Sequence, residues 1–363
     1  MEKETLSPPL RRLRKLRERM AREKIEALLV GSLPNVHYLT GFSGTAGVLL
    51  VTLRNSVFFT DARYDLRAHQ EVQGSRVVIA KGGNFQAALR WAARTKQARM
   101  GFESDSVSFS SYQNILQTIV NKRLVPTTGM VESLRIQKDE AEIERIRKAV
   151  HLGSKAYSET LAHLRPGMTE IEVAAEIEYR MRRNGAERPA FETIVAAGPR
   201  TALPHSSPGT RKLRRNECIM LDLGAILGGY AGDMTRTVFL DQAPRKAARI
   251  YGAVLEAQRE AEQAVRVGVP CSAVDKAARR VLERHGYGRY FTHSTGHGVG
   301  REIHEQPSLA RNQEALLPEN AVVTVEPGVY IPGYGGVRIE DVVVVRKRGP
   351  EVLTTTPKEL TVL

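Results

Sequence analysis

Four carboxylates in this chain sit where they should repel one another. Between Val323 and Val345 it reads VTVEPGVYIPGYGGVRIEDVVVV, two runs rich in β-branched residues joined by a turn containing Pro332, Gly333, Gly335 and Gly336. Glu326 belongs to the first run and Glu340 to the second. Their midpoint is Gly333, so a hairpin folded there sets the two glutamates across from each other. Upstream, Cys218 to Leu240 repeats the arrangement: CIMLDLGAILGGYAGDMTRTVFL puts Asp222 and Asp233 on either side of a turn centred on Leu227 and Gly228. Directly opposed like charges weaken a sheet unless something neutralises them. Bound cations answer that need, and four carboxylates on two hairpins make a floor for two metal ions.

Such a site needs at least one more distinctive ligand, and residues 291–305, FTHSTGHGVGREIHE, supply candidates. His293, His297 and His304 crowd a glycine-rich segment where backbone can approach closely. The four-residue spacing of His293 and His297 would suit a zinc-binding helix. Gly296, Gly298 and Gly300 argue against helix, and only one of the three histidines need be a ligand. Asp341 adjoins Glu340 but alternates to the other face of its strand, which removes it from the set. Thr235 and Arg236 are expected to support Asp233, and Tyr230 stands open between cleft and core. His37, His69, His151, His163 and His285, with Asp61 and Arg63, sit in contexts that suit structural roles.

These groups have to be positioned by something. At 363 residues the chain exceeds the roughly 250–300 residues that one core usually spans, so two domains are expected. From Ile25 to about Met130, the strand candidates ALLVGS, GVLLVTL, SVFFTDA, RVVIAK and RMGFES alternate with helical patterns near Asp61–Glu71, Phe85–Arg94 and Ser111–Val120. That alternation predicts an α/β domain over 1–130. The glycines from Gly41 to Gly47 mark a loop that lacks the helix-opening phosphate pattern, so no nucleotide site is read there. A helix follows over residues 139–164, closed by Pro166-Gly167, and the boundary falls near Gln137. In the second domain, 138–363, RPGMTEIEVAAEIEYRMRRNGA is echoed about a hundred residues later by VGVPCSAVDKAARRVLERHGYG. Each copy is a Gly-containing turn and a helix ending on Gly185 or Gly286, and each leads into one carboxylate hairpin. The expected architecture is an α+β domain of two related halves with pseudo-twofold symmetry. Helices back antiparallel strand pairs, and the metal floor lies between the halves.

Hydrophobic content of 42% and charged content of 26% describe an ordinary soluble globular protein, and no apolar run approaches the roughly 20 residues of a membrane span. The net charge of +14 invites a nucleic-acid reading. Its densest run, Leu10 to Lys24, carries Leu10, Leu13, Leu16 and Met20 at helical spacing and reads instead as an amphipathic helix with a solvated basic face. With a single Trp and no interleaving of basic and aromatic residues, neither a nucleic-acid nor a membrane partner is expected. MEKETLSPPL has no hydrophobic signal core, and Glu2, Glu4, Glu18 and Glu23 argue against a mitochondrial presequence. Cys218 and Cys271 offer neither a disulfide framework nor a metal spacing, which fits a reducing cytosol.

Set in their contexts, five residues resemble the ligand set of the pita-bread metallopeptidases: methionine aminopeptidase, aminopeptidase P and prolidase. They are Asp222 in LDLGA, Asp233 in GDMTRT, His297 in TGHGVG, Glu326 in VEPG and Glu340 in RIED. All five types stand in the family's order, and the likeness covers nearly the whole chain. YLTGFSGTAGVLLV and FFTDARY resemble the creatinase-type first domain that aminopeptidase P and prolidase carry and methionine aminopeptidase lacks.

The resemblance implies that Asp233 and Glu340 bridge two divalent metals, that Asp222 completes one site, and that His297 with Glu326 completes the other. One imidazole among carboxylate oxygens is a hard donor set that favours Mn2+, with Co2+, Zn2+ or Fe2+ as alternatives. The implied reaction is hydrolysis of an Xaa-Pro bond by a metal-bridging hydroxide, with Glu326 taking the water's proton. An Xaa-Pro bond is a tertiary amide with no N–H, so donors to its carbonyls and an apolar wall have to orient it. The family likeness assigns those catalytic and substrate-binding donors to His205 (in ALPHS) and His304, with His293 beside them, and gives Tyr330 and Arg338 supporting places at the substrate. Aminopeptidase P takes longer peptides; prolidase takes dipeptides and has to clamp the proline carboxylate. Some prolidases place an arginine shortly after the His-Glu pair, where HEQPSLAR has Ser308, with Arg311 further on. The aminopeptidase is the favoured expectation and the Xaa-Pro dipeptidase the alternative. Five intact ligands disfavour a non-catalytic peptide-binding module and a metal-free amidinohydrolase. Relatives are often dimers, which implies a homodimer, and the expected compartment is the cytoplasm.

Overall fold

The computed structural model describes residues 6–363, so Glu2 and Glu4 lie outside the described residues. The chain forms two compact units, Met1–Arg135 and Ile136–Leu363. In the first, a six-stranded sheet runs in the order Arg76–Ile79, Ser56–Thr60, Val48–Thr52, Ala27–Val30, Arg99–Glu103, Arg123–Thr127. Alternation along the strands feeds two cores. Leu28 and Val30 join Leu13, Leu16 and Met20 of helix Pro8–Arg22, whereas Ala27 and Leu29 join Ala88, Leu89 and Ala92 of helix Asn84–Ala93. Strand Arg123–Thr127 and helix Leu33–Thr40 escape the periodicity reading, the first because it is a proline-bearing edge, the second because it is too short. In helix Pro8–Arg22, Leu10 stays at the rim, 36% exposed. Arg12, expected on the solvated face, is buried with its guanidinium 4.2 Å from the Tyr38 ring centroid.

In the second unit the sequence repeat becomes two matching layers. Helices Glu140–Leu161 and Glu170–Arg183 pack on a sheet containing Ile194–Ala197, Cys218–Leu223 and Met234–Phe239. Helices Arg245–Ala264 and Cys271–Arg284 pack on a sheet containing Gly296–Gly298, Val322–Val325 and Asp341–Val344. Asp139 with Glu142, and Thr169 with Glu172, close capping boxes that fix where the first two helices start. The repeated helices are entered through matching bridges, Thr169 to Lys212 and Pro270 to Leu316, and are followed by left-handed glycines, Gly185 at φ 102° and Gly286 at φ 77°. A further cluster sets Ile143, Ile146 and Val150 of the first half against Val322, Val342 and Val344 of the second. Both carboxylate hairpins are thereby held in one body. Among the described residues no helix is long and apolar enough to cross a membrane.

Candidate metal centre and active site

The aspartate hairpin turns on Gly228 and Gly229, both left-handed at φ 59° and 71°, a pairing that suits the twist of a tight hairpin. Leu227 pairs with Tyr230, so the turn lies one step from the expected centre on Leu227 and Gly228. In consequence Asp222 stands opposite Thr235 rather than Asp233. Asp233, two residues from Thr235, shares its face, which makes the aspartates diagonal neighbours instead of a facing pair. Positive φ is cheap for two glycines and costly for leucine, and that decides the register.

The glutamate hairpin turns at Gly333 as expected, with Ile331 opposite Gly335 and Val325 opposite Asp341. Glu326 and Glu340 hold matching places along it, but the ladder opens there. The Glu326 N–H donates to Thr295 O at 2.8 Å and the Glu340 N–H to Thr235 O at 3.1 Å. The glutamates therefore sit at a fork rather than inside a continuous ladder. One prong is tied to the histidine loop and the other to the aspartate hairpin. Thr235, expected to support Asp233, serves Glu340 instead: its hydroxyl donates to Glu340 Oε2 at 2.7 Å. Arg236 likewise donates to the Glu340 carbonyl and to the carboxylate of Asp341. Asp341 itself faces away from the other acids, held by Arg236, Gln258 and Lys358.

His297 lies in the short strand Gly296–Gly298, its N–H donating to Thr324 Oγ1 at 3.0 Å. A Cβ on Gly296 would stand 2.0 Å from Thr324 O, and one on Gly298 would stand 2.3 Å from Gln306 O, so glycine is what lets the neighbouring strands close on the histidine. Nδ1 of His297 lies 3.1 Å from the Gly298 carbonyl, which can only accept. Nδ1 therefore carries the proton, and the lone pair of Nε2 faces the acids. Nε2 is 3.5 Å from Glu326 Oε1 and 3.7 Å from Asp233 Oδ2. Donor atoms of Asp233, His297 and Glu340 lie within 4.8 Å of one another. One oxygen of Asp222 accepts from Arg338, and the other, Oδ1, is buried with no hydrogen-bond partner.

Burial and mutual repulsion move these groups far from their ordinary titration. Desolvation, then neighbouring carboxylates, lifts Asp233 and Glu340 well above the usual carboxylate range. Desolvation, opposed by the charge of Arg338, pushes Glu326 up to about 8, and burial drives His297 down to about 4. Protonated acids beside a neutral imidazole are what such a cluster becomes with no cation among them. The orphaned Asp222 oxygen, the aimed Nε2 and the hard donor set fit divalent ions, whose charge would favour the ionised acids.

The five side chains line a cleft of about 430 Å³ together with His205, His293, His304 and Arg338. Phe191, Ile194, Pro204 and Ile303 give it an apolar wall that sequence reasoning missed. The available signal was the repeat, since Phe191 precedes Phe291 of the second copy by 100 positions. His205 and His304 are exposed, and the ring of His304 lies 4.4 Å from that of His297.

His293 is committed elsewhere. Its Nδ1 is 2.7 Å from the Ser294 carbonyl and its Nε2 2.8 Å from the Tyr330 hydroxyl. Burial and the charge of Arg338 drive it down to about 4, so the ring is neutral, donates at Nδ1 and accepts at Nε2 from Tyr330. In this arrangement His293 has no N–H to offer a substrate. Tyr330, buried and outside the cleft lining, accepts in turn from Arg338 at 2.9 Å. Tyr230 also lies outside that lining: it is buried in the core with its hydroxyl 2.9 Å from Glu142 Oε1. Ser308 and exposed Arg311 do not line the cleft either.

The profile of Metallopeptidase family M24 matches residues 144–347, and that of the Creatinase/Prolidase N-terminal domain matches residues 12–137. The chain belongs to metallopeptidase family M24. Among solved structures, the Xaa-Pro dipeptidase from Bacillus anthracis gives a TM-score of 0.95 at 37% identity, covering 98% of this chain and 100% of that one. The X-Pro aminopeptidase from Thermotoga maritima MSB8 gives 0.88 at 37% identity, over 95% of this chain and 100% of its own. An Xaa-Pro dipeptidase of Pyrococcus horikoshii is 36% identical over 351 residues, 96% of this chain and 98% of that protein. The creatinase-like first domain and the pita-bread catalytic domain are the fold of this family.

In this M24 chain each half braces its own histidine loop with a helix carboxylate and an arginine. Glu170 accepts from the N–H groups of Ala197 and Gly209 at 2.9 and 3.1 Å and pairs with Arg200. Arg200 reaches Ser206 Oγ and Ser207 O, beside His205. Asp275 accepts from the Thr295 N–H and hydroxyl at 3.2 and 2.9 Å and pairs with Arg279, which donates to the His293 carbonyl. Neither brace stands out in the sequence, because each joins a helix to a loop through contacts that no local pattern encodes.

Proposed function

We propose that this chain is a two-metal exopeptidase that hydrolyses the bond before a proline in second position, an Xaa-Pro aminopeptidase. Asp222, Asp233, His297, Glu326 and Glu340 would hold two divalent ions, and the donor set favours Mn2+. Such ions, when bound, lower the pKa of a water molecule and polarise the scissile carbonyl. Glu326 would take a proton from the attacking water and pass it to the departing proline nitrogen. His205 and His304 donate to the peptide carbonyls, and Phe191, Ile194, Pro204 and Ile303 receive the proline ring. Arg338, through Tyr330, keeps His293 in one tautomer and so fixes the cleft's inner wall.

One observation supports the aminopeptidase in particular. Arg338 is the one Lys or Arg among the described residues lining the cleft, and four of its five N–H donors are already spent, on Thr235, Pro204 O, Tyr330 and Asp222. A free proline carboxylate would find at most a single arginine N–H there, and a longer peptide needs none. The second reading, a dipeptidase, is favoured by the names of the relatives; under it His205 and His304 receive the carboxylate. Kinetics on Gly-Pro against Arg-Pro-Pro with Mn2+ added separates them. A higher kcat/KM on the tripeptide is expected, and turnover of the dipeptide alone would sink the aminopeptidase reading. The proposed assembly is a cytoplasmic homodimer, for which light scattering should read about twice the 40.3 kDa chain mass.

A further inference from the structure

The first unit carries most of the chain's excess charge. Residues 1–135 hold 21 of the 54 Lys and Arg and 11 of the 40 Asp and Glu, a net +10 of the total +14. Part of this excess converges on a cleft of about 720 Å³ at one end of the six-stranded sheet. There strand Val48–Thr52 ends, strands Ser56–Thr60 and Arg76–Ile79 begin, and helix Asn84–Ala93 terminates. Arg17, Arg54, Arg76, Arg94 and Lys96 line the cleft, and no Asp or Glu does. Arg17 is anchored, its Nε donating to Thr52 O at 3.1 Å and a terminal nitrogen to Ser56 Oγ at 3.3 Å. Among the described residues the side chains of Arg54, Arg94 and Lys96 have no hydrogen-bond or ion-pair partner. Arg76 has only the ring of Trp91, 5.3 Å away.

Four unpaired cations facing one hollow repel one another, and a ligand bringing three or four negative charges within that span would relieve them. One phosphate group supplies only about two charges. A concave site of this size, within the roughly 300–1,000 Å³ typical of small-ligand pockets, encloses a compact molecule better than a polymer. We propose that this cleft binds an oligophosphate, two or more linked phosphate groups, supplied either as a free phosphate chain or as the triphosphate of a nucleotide. Arg54, Arg76, Arg94 and Lys96 take the phosphate oxygens, Arg17 holds the floor, and Trp91 offers a ring edge to whatever the phosphates carry.

Trp91 is the chain's one tryptophan, so its emission reports this cleft. The intact enzyme is titrated with tripolyphosphate, ATP and inorganic phosphate, followed by Trp91 emission and by calorimetry. Saturable binding is expected, with tripolyphosphate or ATP at least tenfold tighter than phosphate. ATP binding tighter than tripolyphosphate assigns a nucleotide, and the reverse order assigns a free phosphate chain; both support the site. Arg54→Gln with Arg94→Gln should weaken binding at least tenfold. Arg22→Gln with Arg123→Gln, exposed cations outside the cleft, should change it less than twofold, and both pairs should keep the wild-type melting midpoint and peptidase rate. Three results would each overturn the proposal: no saturable binding, equal losses in the two variant pairs, or single-stranded RNA that binds more tightly with length and displaces tripolyphosphate.

Discussion

In the candidate metal centre, Asp233 and Glu340 are 5% and 2% exposed, and their carboxyls keep their protons far above the usual range. In the cleft of the first unit, Arg54, Arg76, Arg94 and Lys96 likewise bring one sign of charge to one hollow, but all four are exposed. Two like charges about 4 Å apart cost about 1 kcal/mol in bulk water and about 4 kcal/mol at the effective dielectric of a protein surface. The same crowding is therefore tolerable where water reaches it and demands an answer where water is excluded. The acids must take protons or metal ions. The arginines can wait, solvated, for an anion. Neutralisation, by protons or by cations, is forced at one site, and salt-sensitive binding at the other is optional; the difference follows from burial.

The sharpest way to break this contrast is to remove the cations from the buried site. Chelation should abolish peptidase activity and added Mn2+ should restore it, while Glu326→Gln should lower kcat by about 10³ even at saturating Mn2+. Activity that survives both treatments would mean the acids are not a metal floor. Next in size, Asp233→Asn should cut bound metal from two ions per chain to one or none and kcat by at least about 10². A brace beneath the histidines has a smaller share: Asp275→Asn should lower kcat/KM about tenfold by loosening the loop of His293, with metal content unchanged.

The pH response sharpens the contrast further. Glu326 at about 8 stands above its unfolded value of about 4.3, so in metal-free protein its contribution is full below that lower value and is lost as pH rises through 8. His293 and His297, driven down to about 4, act in the opposite sense, and their contribution is complete above about 6.5. Between about pH 6.5 and 8 the acids alone decide. There the melting midpoint of the chelated protein should fall by several degrees as pH rises, and that of the metal-loaded protein should not. Smallest of all, raising NaCl from roughly 50 to 200 mM should weaken oligophosphate binding at the exposed cleft several-fold and leave metal affinity within about twofold. Equal salt sensitivity at both sites would erase the distinction.

Much of this is legible in the sequence. Helix ends are announced by Gly185 and Gly286, because a glycine just past the last turn takes left-handed backbone cheaply. The five strands expected in the first unit formed, and the repeat foretold two layers of helices on sheets. Less was legible where a residue's partner lies far along the chain. Thr235 and Arg236 lie beside Asp233 in the sequence, but in the structure they serve Glu340, more than a hundred residues on. Tyr230, open between cleft and core, went to the core because Glu142 meets its hydroxyl there.

What the sequence determined by itself, the choice of His297 aside, which rests on the family resemblance, was four acids, a run of three candidate histidines and two hairpins to carry the acids. Those are properties of residue type and short-range turn chemistry, and glycine pairs or β-branched runs state them directly. The tertiary structure alone decided the fork that parts Glu326 from Glu340, the Nε2 lone pair of His297 aimed at the acids, and the proton that ties up His293. It also decided that arginines at positions 17, 54, 76 and 94 share one hollow. Each of these depends on which distant backbone carbonyl or strand end packs alongside. That is settled by burying the whole core at once, and no window of sequence contains it.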